Sequence, residues 1–236
     1  MTKLSPSKYF PPVDAADEEG LMLFGGQLTP NWLLDAYSHG IFPWPICDRR
    51  ALLAWWSPDP RAIIELDELH LSRSLQRTLR RGKFRVTCNR AFGEVIRGCA
   101  TADGRAGQTW LCPEMIAAYE QMHRLGYAMS VETWAEEELV GGTYGISLGG
   151  FFAAESMFFR QSDASKVALV ALVRHLRARG YTLLDIQQLT DHTRSLGASE
   201  IPRSEYLRRL EAALKIDTRF GIDFAADCGI PTRDVC

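Results

Sequence analysis

The spacing of apolar and polar residues predicts a chain of alternating helices and strands. Between Thr29 and Gly40 apolar residues recur at helical spacing, and Thr29 followed by Pro30 is typical of a helix start. Further helices are predicted at residues 69–82, 89–100 (with Asn89 as N-cap), 113–126, 165–180 and 204–214. Strands are predicted at residues 61–66, 83–88, 127–134, 138–159 and 181–189, with a loop or strand at 107–112.

The order of these elements favours an α+β fold. After residue 84, helices alternate with strands that we expect to be antiparallel, and residues 138–159 contain the Gly-rich turns of a meander. Two helices, a meander, a long helix and a further strand suit a sheet of the N-acetyltransferase (GNAT) type. This expectation concerns the fold and carries no function by itself.

The helix predicted at residues 69–82 has one apolar face and one cationic face. Leu71, Leu75 and Leu79 are spaced by four residues and therefore fall on one side. Four arginines lie roughly opposite: Arg73, Arg77, Arg80 and Arg81. Because no acidic residue alternates with them to form i,i+4 pairs, their mutual repulsion favours an anionic partner such as phosphate. The alternative is an ordinary solvated helix face.

Composition and charge exclude several classes of protein. The chain has 236 residues, 46% of them hydrophobic, and a formal net charge of −2, so a polyanion would have to bind at a local patch. The six cysteines lack CxxC spacing, which argues against a zinc site and fits reduced thiols in a cytoplasm. No apolar window approaches the ~20 residues of a membrane span, and no signal peptide is visible. We therefore expect a cytoplasmic protein.

Two sets of polar residues lie inside apolar sequence. Glu155 is in the run FFAAESMFF, where a carboxylate is costly unless it has a partner, either a structural arginine or a bound ammonium group. Asp185 and Gln187 in LLDIQQ occupy positions i and i+2 of a predicted strand and therefore project from one face. A hydrogen bond from the side-chain amide of Gln187 to Asp185 would fix that amide and direct its carbonyl oxygen toward whatever lies in front of this strand face. The alternative is an exposed strand face.

Other catalytic patterns are weaker. Ser156 and His192 lack the G-x-S-x-G context of a hydrolase nucleophile. A coenzyme A site in an N-acetyltransferase-type fold would use a Gly-rich turn before the long helix, but RQSDASK at residues 160–166 places Asp163 there. Its carboxylate would repel a pyrophosphate, so acyl-CoA is disfavoured as a substrate.

Several segments together carry a close resemblance to one family. They are GIFPW, WWSPDPRAI, LVGGTYG, ESMFF, ASKVAL, LLDIQ and DHTRSLGASEIPRSEYL, and the resemblance covers roughly residues 20–212. On these segments the chain resembles leucyl/phenylalanyl-tRNA–protein transferases. The resemblance implies a small N-terminal α/β domain, which we place at residues 1–65 with the first ~20 residues loosely ordered, and an N-acetyltransferase-like domain at residues 66–236.

The resemblance also implies an activity. Members of the family move Leu or Phe, and less readily Met, from aminoacyl-tRNA to the N-terminal α-amine of proteins that begin with Arg or Lys. The product is marked for degradation by the N-end rule. No cofactor, metal, coenzyme A or membrane is implied.

Candidate site residues follow from the same resemblance. Trp44 and Trp110 match tryptophans at the mouth of the aminoacyl-adenosine site. The polar active-site residues of the family are matched by Glu155, Asp185 and Gln187. Positions that line the amino-acid pocket are matched by Phe152, Met157, Leu169 and Leu184. The basic cluster for tRNA is matched by Arg73, Arg77, Arg80 and Arg81. Thr190 marks an acceptor contact, and relatives can have Met or Phe at the pocket positions of Thr143, Leu172 and Leu176.

The Trp/Pro-rich segment at residues 40–60 suits such a site. Its prolines disfavour a helix or a central strand, and a stiff turn can hold aromatic rings for stacking on the terminal adenosine of tRNA, at roughly 1–3 kcal/mol per base. We expect Trp44 to lie near the ligand, and Trp55 and Trp56 mainly to pack. The alternative is that all three tryptophans join two domains.

The chemistry makes few demands on the protein. An aminoacyl ester is already activated, and an α-amine with a pKa of about 7.7–8.0 is partly neutral at physiological pH. We expect Gln187 to hold the attacking amine and Glu155 to attract an ammonium group, of either the transferred amino acid or the acceptor. Two rival functions remain: an acyl-CoA-dependent N-acyltransferase, and a noncatalytic RNA-binding module.

Overall fold

The computed structural model describes residues 4–46, 52–102 and 109–224. Their helices are α1 (Pro30–Ser38), α2 (Arg73–Arg80), α3 (Phe92–Thr101), α4 (Pro113–Arg124), α5 (Ala164–Ala178), α6 (Asp191–Arg194) and α7 (Arg203–Leu214). Their strands are β1 (Leu21–Phe24), β2 (Phe42–Pro43), β3 (Ala54–Trp56), β4 (Arg61–Ile64), β5 (Arg85–Cys88), β6 (Ala128–Ala135), β7 (Glu138–Leu148), β8 (Phe151–Phe159), β9 (Leu183–Gln187) and β10 (Ala198–Ile201). The fold is mixed α+β, as predicted.

Some sequence-based expectations fall on residues outside these ranges. They concern the cysteines Cys47, Cys228 and Cys236 and the first two residues of the segment 107–112. The described remainder of that segment, residues 109–112, forms irregular structure rather than a strand.

Seven strands form one mixed sheet in the order β10-β4-β9-β8-β7-β6-β5. Neighbouring strands are antiparallel except β8 and β9, which pair in parallel from Phe151↔Leu183 to Ala153↔Asp185. The cause is the connection, because α5 crosses from the end of β8 back to the start of β9. The meander β6–β8 is therefore confirmed, whereas the antiparallel arrangement expected throughout this region is wrong at β9.

Different helices cover the two faces of the large sheet. Phe151 and Phe152 are neighbours in β8, so their side chains point to opposite faces. Phe151 packs in a core that contains residues of α3 and α4, and Phe152 packs in a second core built on α5. Close approach of α5 requires a glycine in β7, since a Cβ at Gly141 would lie 2.6 Å from the Cβ of Ala164.

A separate three-stranded sheet has the order β1-β3-β2. The Trp/Pro-rich segment, for which turns are predicted, supplies both β2 and β3. Pro43 is tolerated because β2 is a two-residue edge strand. Trp55, in the central strand β3, is fully buried and packs against Phe10 with ring centroids 4.9 Å apart.

Residues 4–20 make specific contacts with α1 and this small sheet, although their polar composition predicts loose order. Asp35 of α1 accepts hydrogen bonds from the Ser7 hydroxyl at 2.6 Å and the Tyr9 main-chain N–H at 3.2 Å. Tyr9 stacks on Trp32 at 4.6 Å, and Phe10 is 7% exposed. A few anchoring side chains, each with a distant partner, thus fix a segment that has no periodicity of its own.

Two predicted helix boundaries shift. Asn89 is not the N-cap of α3: it has a φ of 56°, and its side chain donates to the Gly221 carbonyl and accepts from the Ser130 N–H. Helix α2 begins after Ser72, whose hydroxyl caps it, so Leu71 precedes the helix. The capping residue, rather than the apolar repeat, determines where α2 starts.

A buried ion pair connects several of these elements. Arg61 of β4 and Asp185 of β9 are 1% and 0% exposed. The Arg61 Nε and Nη2 atoms donate to the two carboxylate oxygens at 2.9 and 2.7 Å. Arg61 Nη1 donates to the Gly40 carbonyl at 3.0 Å, and the Tyr206 hydroxyl of α7 donates to Asp185 at 2.9 Å. The pair therefore joins β4, β9, α7 and the chain just after α1.

Asp185→Asn should lower the free energy of unfolding by roughly 3–5 kcal/mol, because it leaves the Arg61 charge buried without its counter-ion. Urea denaturation followed by circular dichroism measures the change. Asp223→Asn is the control, since Asp223 forms an exposed pair with Arg90 and its loss should leave stability nearly unchanged. Equal stability of Asp185→Asn and the unaltered protein would contradict the importance of the pair.

Candidate active site

A cavity of about 240 Å³ opens where β8 and β9 separate. Their pairing ends at Ala153 and Asp185, and the residues that follow in each strand, 154–157 and 186–188, line the cavity. Leu169 of α5 and Ile64 of β4 add apolar surface. The result is a largely apolar cavity with a few polar groups, which is the usual composition of a small-molecule site.

Two tryptophans border this cavity. Trp44 and Trp110 are both half-buried, and their rings meet edge to face with centroids 6.3 Å apart. The backbone of Trp44 is fixed on both sides, because its N–H donates to the Ala54 carbonyl and its carbonyl accepts from the Trp56 indole at 2.8 Å. Trp55 lies in the core. Trp55 therefore packs as predicted, whereas the contact of Trp44 with a ligand stays a prediction.

Glu155 is the centre of a hydrogen-bonded chain that reaches the cavity. One carboxylate oxygen accepts from the Tyr119 hydroxyl at 2.9 Å, and the other accepts from the Gln187 amide nitrogen at 3.2 Å. The Tyr37 hydroxyl lies 2.6 Å from that of Tyr119. Since Tyr119 directs its proton to the carboxylate, Tyr37 is the donor to Tyr119. The chain joins α1, α4, β8 and β9.

The environment of Glu155 changes its acidity. Burial is the largest cause, and it raises the pKa of Glu155 to about 7 from the usual 4.5. The neighbouring hydroxyls of Tyr37 and Tyr119 lower the pKa of Glu155, and the negative charge of Asp185 raises it further. Glu155 therefore changes its charge near neutral pH.

Asp185 does not face the cavity. Its carboxylate accepts from Arg61, Tyr206 and the main-chain N–H of Gln187, the last at 2.9 Å. The predicted bond between this carboxylate and the side-chain amide of Gln187 is thus wrong: the amide donates to Glu155 instead. A left-handed turn at Gln187, with φ 62°, breaks the strand alternation on which the prediction rested.

The predicted amino-acid pocket divides into residues that line the cavity and residues behind it. Met157, Leu169 and Thr143 line it. Four others are buried in the core built on α5 rather than along the cavity: Phe152, Leu184, Leu172 and Leu176.

Thr190, the predicted acceptor contact, lines the cavity and is the N-cap of α6. Its hydroxyl accepts from the Thr193 N–H at 3.1 Å. Ser156 and His192 also line the cavity, but among the described residues no hydrogen bond joins them. Burial lowers the pKa of His192, so its neutral form is favoured.

Three residues of the site were missed from the sequence. Tyr37 and Tyr119 occupy apolar faces of α1 and α4, where periodicity indicates ordinary core positions. Arg61 is separated by 124 positions from its partner Asp185. A buried arginine at the start of a strand signals that a carboxylate must lie nearby, but the sequence does not say which one.

The four arginines predicted to bind tRNA lie on or next to α2: Arg73, Arg77, Arg80 and Arg81. All four are exposed, and no carboxylate of the described ranges forms an ion pair with them. Leu75 anchors the opposite face of the helix at 1% exposure. The α2 surface therefore carries uncompensated positive charge.

Helix α2 also contacts the start of α5. The Thr78 hydroxyl donates to the Asp163 carboxylate at 2.9 Å, and Lys166 lies 3.6 Å from the same carboxylate. Asp163 precedes α5 in a left-handed conformation with φ 70°. Asp163 is therefore the N-cap residue of α5, but its carboxylate contacts Thr78 and Lys166 and does not hydrogen-bond the N–H groups of the helix.

Residues 4–46, 52–102 and 109–224 contain no group of three or more His, Cys, Asp or Glu side chains that could hold a metal ion. In the same ranges, no helix has both the length and the apolar character needed to cross a membrane.

The chain matches two family models. The model described as leucyl/phenylalanyl-tRNA protein transferase matches residues 63–211, and the model for the N-terminal domain of the same enzyme matches residues 26–59. Among solved structures, an L-PGS structure from Bacillus licheniformis gives a TM-score of 0.40 at 13% identity, over 69% of this chain and 54% of that chain. This likeness is too low to support an argument.

Curated relatives are much more similar. A leucyl/phenylalanyl-tRNA–protein transferase of Syntrophotalea carbinolica is 52% identical over 205 residues, which cover 86% of this chain and 88% of the relative. One from Aromatoleum aromaticum is 52% identical over 199 residues, or 84% of this chain and 83% of the relative. By both measures, the chain belongs to the leucyl/phenylalanyl-tRNA–protein transferase family.

Proposed function

We propose that this chain transfers Leu or Phe, and less readily Met, from aminoacyl-tRNA to the N-terminal α-amine of proteins that begin with Arg or Lys. Transfer marks the acceptor for N-end-rule degradation in the cytoplasm. The observation that best supports the proposal is the apolar cavity bordered by Trp44 and Trp110, with the Glu155–Gln187 pair in its wall. Family membership supports the same reaction.

The cavity suits an apolar amino-acid side chain. Met157, Leu169 and Ile186 offer flexible or branched hydrocarbon surface without charge. Leu, Phe and Met are unbranched at Cβ, whereas Ile and Val would meet the wall near the entrance. Differences of methylene size contribute about 1–3 kcal/mol, which is enough for a preference among them. Phe152 and Leu184 support the wall from behind.

Trp44 and Trp110 would receive the terminal adenosine. A single-stranded base has two free π-faces, and stacking on an indole contributes about 1–3 kcal/mol. Hydrogen bonds at both main-chain groups fix the backbone of Trp44, and ring contacts with Phe42 and Trp110 limit the orientations of its indole, so less ordering entropy is lost on binding.

Gln187 would hold the attacking amine. An ionised Glu155 can accept but not donate, so it binds the NH₂ side of the Gln187 amide and leaves the carbonyl oxygen for the amine. The amine nitrogen then attacks the ester carbonyl carbon, a C–N bond forms, and the C–O bond to ribose breaks. The amine proton passes to the departing ribose oxygen, directly or through the neighbouring hydroxyl.

Asp185 would act as a positioning residue rather than a proton acceptor. It is saturated by Arg61, Tyr206 and the Gln187 N–H, and it fixes the backbone turn that presents Gln187. Thr190 would contact the acceptor, although its hydroxyl is already engaged in capping α6.

An architecture of two domains fits the separation of the proposed adenosine contact from the amino-acid cavity. We propose a small N-terminal domain that carries Trp44 and an N-acetyltransferase-type domain that carries the cavity. The predicted boundary at residue 65 falls after β4, and the pairing of β4 within the large sheet supports a boundary before residue 61. Coenzyme A is disfavoured, since Asp163 occupies the start of α5. No metal is required by the proposed chemistry.

Incubation of the purified chain with labelled Phe-tRNA and a peptide that begins with Arg, without coenzyme A or ATP, should yield Phe-peptide. Gln187→Ala should lower kcat by about 10²-fold, because the amine loses its orienting acceptor. Gln121→Ala, an exposed position on α4, is the control and should not change the rate. Binding of tRNA without any product would favour a noncatalytic module instead.

The pH dependence of transfer activity should reflect the ionisation of the Glu155 carboxyl group. Activity with subsaturating acceptor should fall as the pH drops through about 7, because the protonated carboxyl loses its negative charge and its hold on the Gln187 amide. Glu155→Gln should lose this inflection and keep the one from the acceptor amine, near about 7.7–8.0. Initial rates measured between about pH 5.5 and 9, a range that contains both pKa values, show the two inflections. If the pH profiles of Glu155→Gln and the unaltered protein superimpose, Glu155 is not the group that titrates.

Arg77→Glu should weaken tRNA binding by at least about 10-fold, and adding Arg80→Glu should weaken it further, for any tRNA sequence. These arginines would neutralise phosphates, so the slope of affinity against salt should also decrease. Filter binding over a salt series measures both effects. Arg124→Glu on α4 makes the same charge change at another exposed site and is the matched control. Equal losses in Arg77→Glu and Arg124→Glu would exclude a local tRNA surface.

A further inference from the structure

A second groove, of about 410 Å³, borders the Trp44 segment. Its described lining residues are Glu19, Trp44, Pro45, Ile46, Trp56 and Gln188. The groove shares Trp44 and Gln188 with the cavity described above. Gln188 directly follows Gln187, so the two recesses adjoin at the residue proposed to hold the amine.

Glu19 contributes a negative charge to this groove. Among the described lining residues it carries the sole ionisable side chain, and it is exposed. The remaining surface is formed by two indoles, apolar side chains and one amide. A carboxylate beside aromatic faces is the combination that binds a guanidinium or an ammonium group, through charge pairing and cation–π contact.

The backbone that carries Glu19 is firmly placed. Asp17 accepts hydrogen bonds from the N–H groups of Glu19 and Leu21 at 3.0 and 2.8 Å. The next residue, Gly20, accepts from the Ser57 N–H at 2.7 Å. Gly20 has a φ of 90°, and a Cβ there would lie 2.5 Å from the Cα of Pro58, so the glycine allows the turn to dock against this segment.

The Trp56 indole is fixed relative to the backbone of Trp44. Trp56 donates its indole N–H to the Trp44 carbonyl at 2.8 Å, and β3 pairs with β2 directly beside Trp44. One aromatic wall of the groove, the Trp56 indole, is therefore held in place before any ligand binds, which reduces the entropy lost on binding.

We infer that this groove binds the basic first side chain of the acceptor protein. The inference rests on the proposed function and adds the subsite that selects Arg or Lys. With the acceptor amine at Gln187, its side chain passes Gln188 and extends along Trp44 to the Glu19 carboxylate. A nucleotide of the tRNA is the disfavoured occupant, because Glu19 would repel its phosphate.

The test compares acceptor peptides that differ in one charge. Peptides beginning with Arg or with citrulline have nearly the same shape, but the citrulline side chain is neutral. With Phe-tRNA as donor, Glu19→Gln should lower kcat/KM for the Arg peptide by about three- to ten-fold, mainly through KM, as expected for a partly solvated ion pair with aromatic contact. The citrulline peptide should react equally with both enzymes, and the KM for Phe-tRNA should not change.

Glu18→Gln is the matched control, because Glu18 is the adjacent exposed carboxylate and does not line the groove. It should leave both peptides unaffected. Equal losses for Arg and citrulline peptides, or no loss in Glu19→Gln, would overturn the inference. An increase confined to the KM for Phe-tRNA would overturn it too and assign the groove to RNA. Failure of the unaltered enzyme to transfer Phe to any peptide would instead count against the proposed function.

Discussion

The buried pairing of Arg61 with Asp185 is the constraint on which the site depends. Two charges removed from water are tolerated when each polar atom has a partner, and here the tyrosine of α7, the Gly40 carbonyl and the Gln187 N–H complete the set. Because these partners come from both parts of the chain, the requirement to satisfy the charges fixes where β4, β9 and the segment after α1 meet. The left-handed turn that presents Gln187 is one product of that requirement.

Near this ion pair lies a second carboxylate, that of Glu155, whose charge depends on pH. Glu155 accepts from Tyr119 and from Gln187, which favours its charge, while burial favours its neutral form and holds its pKa at about 7. The two acidic residues thus divide their tasks by environment: Asp185 is a fixed counter-ion, and Glu155 responds to pH. An apolar cavity beside them strengthens the field that a bound amine would experience.

Much of this fold is predictable from the sequence, and the reason is periodicity. Helices α4 and α5 and strands β6 to β8 have long, regular patterns with glycine or proline at their ends. Strands β2 and β3 are short and rich in aromatic residues, so no local pattern indicated them. Glu155 and Gln187 were identifiable as polar residues in apolar runs, but their mutual bond was not, because it depends on a positive φ at Gln187. Tyr119 gave no local signal, and Arg61 gave no indication of which carboxylate it pairs with, since the partners of both residues lie far away in sequence.

The separation of β8 from β9 has one more consequence. A sheet normally consumes the N–H and C=O groups of its strands in pairing, and here the ladder stops at Ala153 and Asp185 while both strands continue into the cavity wall. Beyond that point several of these main-chain groups have local partners: the Gln187 N–H donates to Asp185, the Gln188 N–H donates to the Ile186 carbonyl, and the Ser156 carbonyl accepts from Thr143. Side chains therefore form most of the surface that this wall offers, so replacing one of them would change the shape of the cavity directly.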